Sequence, residues 1–356
     1  MAPNSSRRFH LLTYPRTASN LLVRILALED QSNLLPSEKG GYFFIPTMGL
    51  RMHRFKTAGR HLDEWTQEER KGLMESYQNC FEALQKHAET AEAQGKDIFV
   101  KEHAPWLMEP VAETKWVFGE NSTYESPWTV KALPEQTHST LNETVLPDEF
   151  LKAWLPTFLI RHPALVFPSI YRTCVDLEGP EVAKNEAGQH ALEMTMHWSR
   201  TLYDWYTQQL NIPESNSEPN VTWPIILDAD DIMIEPEVVL RYSIIIGLDP
   251  TKLRFSWASA SKEELDKMQG PERRMRSTLS ASEGIIEGKT STNLNIDEEA
   301  KKWRAEFGEE EGEKIEKWVR AAMPDYEYMK AKRLRPQSPR LQSSRLPSSC
   351  FHNIQR

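Results

Sequence analysis

Three short stretches of the chain gather residue types that handle anions and protons. The first is Thr13-Tyr14-Pro15-Arg16-Thr17-Ala18-Ser19-Asn20-Leu21-Leu22, which reads as the end of an apolar strand, a short polar loop and the start of an apolar helix. A helix N-terminus presents unpaired N–H groups and the positive end of the dipole, a combination that holds phosphate or sulfate. Arg16 adds a cation, and Thr17, Ser19 and Asn20 add hydroxyl or amide donors. The second stretch is Val100-Lys101-Glu102-His103-Ala104-Pro105. A histidine, with an unperturbed pKa of about 6.5, can take a proton from an alcohol or phenol at neutral pH. Lys101 lies two residues from His103, on the same side of an extended chain, and can neutralise charge on a leaving group. The third stretch runs Ile160-Arg161-His162-Pro163 to Ser169-Ile170-Tyr171-Arg172, where Arg161 and Ser169 together can hold a phosphate. Taken singly, each has a plain structural reading: a capped helix, a strand-end histidine, a surface ion pair. Together they are far more specific than any one of them.

Positioning these residues takes alternating strands and helices. Strands are expected at Phe9–Tyr14, Asp97–Lys101, Thr157–Arg161 and Trp223–Asp228. Helices are expected after residue 20 and over 64–94, 164–173, 186–210, 235–246 and 297–321. Gly247 follows the fifth of these as a C-terminal cap. Residues 31–60 and 104–150 read as loops, and a loop as long as the second is expected to be a lid or binding segment. The pattern implies an α/β fold with a central parallel sheet flanked by helices, whose ligands bind beyond the carboxyl ends of the strands. Residues 1–329 are expected to form one domain, with a long insertion at 104–150. Residues 330–356 carry seven Lys or Arg and no acid, and are expected to be a basic, disordered tail.

Composition narrows the function. Net charge is −9, which argues against a nucleic-acid binder. No apolar run reaches membrane-spanning length. Cys80, Cys174 and Cys350 are scattered, which fits no disulfide framework and points to a cytoplasmic protein. His190 and His197 lie seven apart with no third ligand in sight, so no metal is expected. Gly288-Lys289-Thr290 lacks the upstream glycine of a nucleoside-triphosphate loop, because Glu283 stands there.

In order and content the three stretches resemble the P-loop sulfotransferase family, whose members use 3′-phosphoadenosine 5′-phosphosulfate. Tyr14-Pro15-Arg16-Thr17-Ala18-Ser19-Asn20 resembles the family's Tyr-Pro-Lys-Ser-Gly-Thr loop. Lys101-Glu102-His103-Ala104-Pro105 is similar to its Lys-Thr-His-Leu-Pro motif, and Arg161-His162-Pro163 through Ser169-Ile170-Tyr171 to its 3′-phosphate motif. Ile226-Leu227-Asp228-Ala229-Asp230-Asp231 into Pro236-Glu237 and Gly247-Leu248 looks like the family's Tyr-Glu-Asp-Leu segment and its following helix, and the likeness spans roughly residues 8–175 and 223–255.

The resemblance implies a divergent soluble member that transfers a sulfuryl group to a hydroxyl of a small molecule. His103, Lys101 and Arg16 would be catalytic, and Arg16, Thr17, Ala18, Ser19, Asn20, Arg161 and Ser169 would bind the nucleotide. Trp106, Trp116, Phe118, Tyr124 and Trp128 offer aromatic surface for an aromatic or polycyclic natural product. Ala18 stands where the family has glycine, which costs stability or binding if the loop needs a positive φ there. The family's late Arg-Lys-Gly motif has only a degraded counterpart in Gly284–Lys289, with Arg273, Arg274 and Arg276 nearby. Two other readings stay open: a protein of the same fold that binds without transferring, and a kinase or hydrolase with a variant loop. The sequence leaves the oligomeric state open.

Overall fold

The computed structural model describes residues 6–210 and 221–336. Four parallel strands form one sheet: β1 (Arg8–Thr13), β2 (Ile98–His103), β3 (Leu155–Ile160) and β4 (Ile225–Asp228), in the order β2-β1-β3-β4. Thr13 is in register with His103, and Ile160 with Asp228, so the chemical residues gather at one edge. The chain leaves β1 for one neighbour and later returns on the other side, which places a crevice beyond the ends of β1 and β3.

Alternate strand residues point to opposite faces, and both faces are buried. Leu12, Val100, Phe158 and Ile226 enter one apolar cluster, and Leu11, Phe99, Leu159 and Leu227 the other. The second cluster is closed by α1 (Ser19–Leu26) through Leu22, Ile25 and Leu26. The first is closed by the long α2 (Gln67–Ala93) and by helices later in the chain. A capping box between Thr66 and Glu69 starts α2.

The expected loop 104–150 carries a helix, α3 (Pro110–Phe118), started by the Glu109 carboxylate accepting from the Val111 and Ala112 N–H groups. The third sequence stretch becomes α4 (Pro163–Glu178). The helix expected over 186–210 is two, α5 (Ala187–Glu193) and α6 (His197–Gln209). The break turns Met194, Thr195 and Met196 all inward, which one straight helix could not do. In front of it Gly188 meets Gly59 so closely that a Cβ on Gly188 would stand 2.3 Å from the Gly59 carbonyl oxygen.

Beyond β4, α7 (Pro236–Ile245) ends at Gly247, whose φ of 71° supplies the expected cap. After a short turn of helix at Lys262–Lys267 come α8 (Gly270–Ala281), α9 (Ile296–Phe307) and α10 (Glu309–Ala331). Past α10, the Leu334 N–H donates to the Ile226 carbonyl and Arg333 pairs with Asp231 at 2.5 Å. Chain contacts with the sheet therefore run beyond the boundary expected at Lys330, and the rest of that segment, 337–356, lies outside the described residues.

Candidate active site

The loop after β1 makes a tight turn. The Thr17 hydroxyl donates to the Tyr14 carbonyl at 2.7 Å, so it is spent on the turn and does not face the crevice as a donor. Arg16 and Ala18 both adopt left-handed backbone, with φ of 67° and 64°. The conformation that the family's glycine suits is therefore present, and an alanine holds it. No side chain caps the N-terminus of α1, which leaves its first N–H groups for an anion.

Around that terminus stand four guanidiniums. Arg16 is held by Nε donating to Ser169 Oγ at 2.9 Å and Nη1 donating to the Met275 carbonyl at 2.8 Å. Burial first, then Arg274, Arg161 and Arg172, lower its pKa to about 10. Arg274 and Arg172 are paired with Asp176 and Glu306. Arg161 donates from Nη1 to the Arg16 carbonyl at 3.0 Å and from Nη2 to the Lys289 carbonyl at 2.7 Å, while its buried Nε has no partner. The sequence groups Ser169 with Arg161, whereas the fold gives the Ser169 hydroxyl to Arg16. A buried, partnerless donor beside an uncapped helix start fits an anionic ligand.

β2 delivers its three polar residues buried. Lys101 Nζ donates to Asn20 Oδ1 at 2.7 Å and lies 4.4 Å from the centre of the Tyr42 ring. Burial and the nearby Arg276 lower its pKa to about 7. Glu102 turns the other way, and its carboxylate accepts from the Phe44 N–H at 3.0 Å and from the Phe43 N–H. Burial raises its pKa to about 8.

His103 is fixed at both nitrogens, at 2.6 Å from Thr13 Oγ1 and 3.0 Å from the Tyr42 hydroxyl. The Thr13 hydroxyl donates its one proton to the Glu102 carbonyl at 3.1 Å. Nδ1 must then carry the proton given to Thr13, and Nε2 is the bare nitrogen that accepts from Tyr42. Burial, and then Lys101, push the His103 pKa well down, so the ring is neutral at pH 7. A neutral imidazole whose lone pair is met only by a hydroxyl can accept a proton from a hydroxyl in that place.

Tyr42 and Thr13 escape a reading from sequence. Tyr42 sits in a stretch without periodicity and arrives only because Glu102 anchors the two residues after it. Thr13 reads as strand. The late segment is recovered differently. Its contribution to Arg16 and Arg161 is made by the main-chain carbonyls of Met275 and Lys289, which no side-chain motif reveals. Ser291 ties the segment to Asp230 through its N–H at 2.9 Å and through its hydroxyl.

The five aromatics of the 104–150 segment separate. Trp106 packs edge-on to His103, ring centres 4.4 Å apart, and against Tyr42. Trp128 is buried in another cluster with Trp65, and Trp116 stacks on His197. Tyr124 is 90% exposed. Beside Trp106 opens a shallow recess of about 20 Å³, or about 330 Å³ counting the open solvent at its mouth, walled by Pro15, Met48, Met52, Leu192 and Glu193, with the Arg51–Glu113 pair in its lining. Among the described residues no group of three or more His, Cys, Asp or Glu is placed to hold a metal ion, and no helix is long and apolar enough to cross a membrane.

A parallel sheet with an anion loop, a buried cation cluster and an oriented neutral histidine at one end defines a group-transfer α/β protein. Comparison with known proteins then narrows it. The chain is 47% identical over 334 residues to sulfotransferase ppzF of Metarhizium rileyi (strain RCEF 4871), covering 94% of this chain and 98% of that protein. It is 47% identical over 339 residues to sulfotransferase ppzF of Metarhizium majus (strain ARSEF 297), covering 94% and 99%. No family model matches. Among solved structures, a sulfotransferase domain from the Synechococcus PCC 7002 olefin synthase covers 83% of this chain and 90% of that one, at 11% identity and a TM-score of 0.36, too distant to carry weight. The chain belongs to the sulfotransferases and is an enzyme of that kind.

Proposed function

We propose that this enzyme moves a sulfuryl group from 3′-phosphoadenosine 5′-phosphosulfate to a hydroxyl of a small molecule, at the carboxyl end of the sheet. The observation that carries this is His103, bonded through Nδ1 to Thr13 and through Nε2 to Tyr42, beside a lysine that reaches the loop after β1 through Asn20. The N-terminus of α1, Arg16 and Lys101 would bind the 5′ end of the donor. Arg161, with its partnerless Nε, would take the 3′-phosphate.

An acceptor seated in the pocket beside Trp106 brings its hydroxyl to His103, in the place the Tyr42 hydroxyl holds. Its oxygen attacks sulfur, an O–S bond forms and the S–O bond to the 5′-phosphate breaks. Nε2 takes the acceptor's proton, and the charge left on the phosphate falls to Lys101, Arg16 and the helix terminus. Most of the work is positioning and charge stabilisation, as in phosphoryl transfer. The aromatic and apolar pocket favours a flat organic acceptor.

Titration calorimetry with 3′-phosphoadenosine 5′-phosphate, without metal, tests the donor half, and micromolar binding (about −8 kcal/mol) is expected. His103→Ala should keep that affinity and lose transfer. A folded protein without affinity for this nucleotide would turn the argument toward another donor. Transfer at the wild-type rate in His103→Ala would remove His103 as the base.

A further inference from the structure

The pocket beside Trp106 holds three charged groups, and two of them answer each other. Arg51 faces Glu113 with both terminal nitrogens, one bond measuring 2.8 Å, and also donates to the Tyr77 hydroxyl at 3.2 Å. That leaves the Glu193 carboxylate. Its one hydrogen-bond partner among the described residues is the Gln189 amide, at 3.5 Å, the limit of a hydrogen bond. No ion pair to Glu193 occurs among the described residues. The other walls are Pro15, Met48, Met52, Ala58, Trp106 and Leu192, so the one cation of the lining, Arg51, is shared between Glu113 and Glu193.

A carboxylate in an apolar recess is unfavourable without a partner. Burial and the nearby Glu186 push the Glu193 pKa up to about 7. Burial first, and then Glu193 and Glu113, raise the pKa of Tyr14. Trp106 supplies an aromatic ring at the same pocket, a surface that also favours a cation.

We propose that the acceptor carries a protonated nitrogen on an apolar body, and that Glu193 is the residue that selects it. This rests on the pocket being the acceptor site of the sulfuryl-transfer reading above. The amine would lie against Glu193 while the hydroxyl reaches past Trp106 to His103. An anionic acceptor of the same shape would be rejected, because the recess carries two carboxylates against one guanidinium.

The test is calorimetric titration of the full-length chain, saturated with 3′-phosphoadenosine 5′-phosphate, with tyramine, 4-ethylphenol and 3-(4-hydroxyphenyl)propionate. The three share a phenol with a two-carbon arm and differ in the group at its end, an ammonium, a hydrogen or a carboxylate. Tyramine is expected to bind about tenfold or more tightly than 4-ethylphenol, and the propionate most weakly. In Glu193→Gln the preference for tyramine should disappear while 4-ethylphenol binds as before; Glu193→Asp serves as the second variant if the first melts early. Equal binding of the amine and the neutral phenol, a preference that survives both variants, or binding by none of the three overturns the proposal. Should the nucleotide itself fail to bind, the donor reading falls, and the same three-ligand comparison on the unloaded protein still decides the pocket.

Discussion

Replacing Arg161 with methionine should separate its two roles. Met keeps most of the stem but removes every donor. In the structure two of those donors hold the Arg16 and Lys289 carbonyls, and the third, Nε, is buried without a partner. A charge-assisted bond from Nε to an incoming phosphate contributes about 1.5–3 kcal/mol. A unit-charge attraction near a protein surface adds up to about 4 kcal/mol at 4 Å, before the cost of desolvation is subtracted. A net of about 3 kcal/mol, roughly a 150-fold loss, is therefore expected for 3′-phosphoadenosine 5′-phosphate. Adenosine 5′-phosphate, which lacks the 3′-phosphate, reports only the damage to the loop that Arg161 braces. Its loss should be at most about tenfold, the worth of one strained turn. The assay is calorimetry with both nucleotides on both proteins, and the informative quantity is the ratio of the two losses. Equal losses would mean that Arg161 only braces the loop, and the 3′-phosphate assignment would be refuted.

Three further outcomes are expected. Lys101 releases its proton at about pH 7 in the fold and near its ordinary value when unfolded, so the unfolded chain holds more protons between these limits. Its destabilising effect is full below pH 7 and fades as pH rises toward about 10, so wild-type stability should climb across that window relative to Lys101→Met in denaturant titrations; parallel curves would contradict the lowered pKa. Ala18→Gly trades relief of about 1–2 kcal/mol of left-handed strain against about 0.5–1 kcal/mol of extra unfolded-state freedom, so urea unfolding should show a gain of up to about 1.5 kcal/mol. A loss larger than that would mean the alanine methyl packs to advantage. Thr13→Val leaves the His103 Nδ1–H without its acceptor; transfer should fall about tenfold, or about 1–2 kcal/mol in barrier, with nucleotide affinity unchanged. An unaltered rate would show that Tyr42 and Trp106 suffice to orient the ring.

Much of the scaffold is legible in the residues, because each strand is an apolar run that must be buried on both faces and each long helix has its own stripe and caps. The strand–loop–helix after Thr13, the buried Lys101-Glu102-His103 run and the Arg161 stretch all appear where their patterns place them. The helix over 186–210 misleads, since its apolar spacing does not reveal that Met194 and Met196 must both turn inward. The 104–150 segment hides α3, because its start depends on the Glu109 side chain and not on a period.

By itself, then, the sequence carries the local pieces, since a polar loop before an apolar helix, a strand-end histidine and a third cationic loop are patterns set by residue type and spacing, and their order is what resembles the family. Only the tertiary structure decides how those parts are wired. It brings Tyr42 onto His103, gives Ser169 to Arg16, closes the late segment on the loop through the Met275 and Lys289 carbonyls, and leaves Glu193 unanswered in the pocket. These are contacts between residues dozens to hundreds of positions apart, many made by the main chain, and main-chain groups are the same in every residue, so no motif records them.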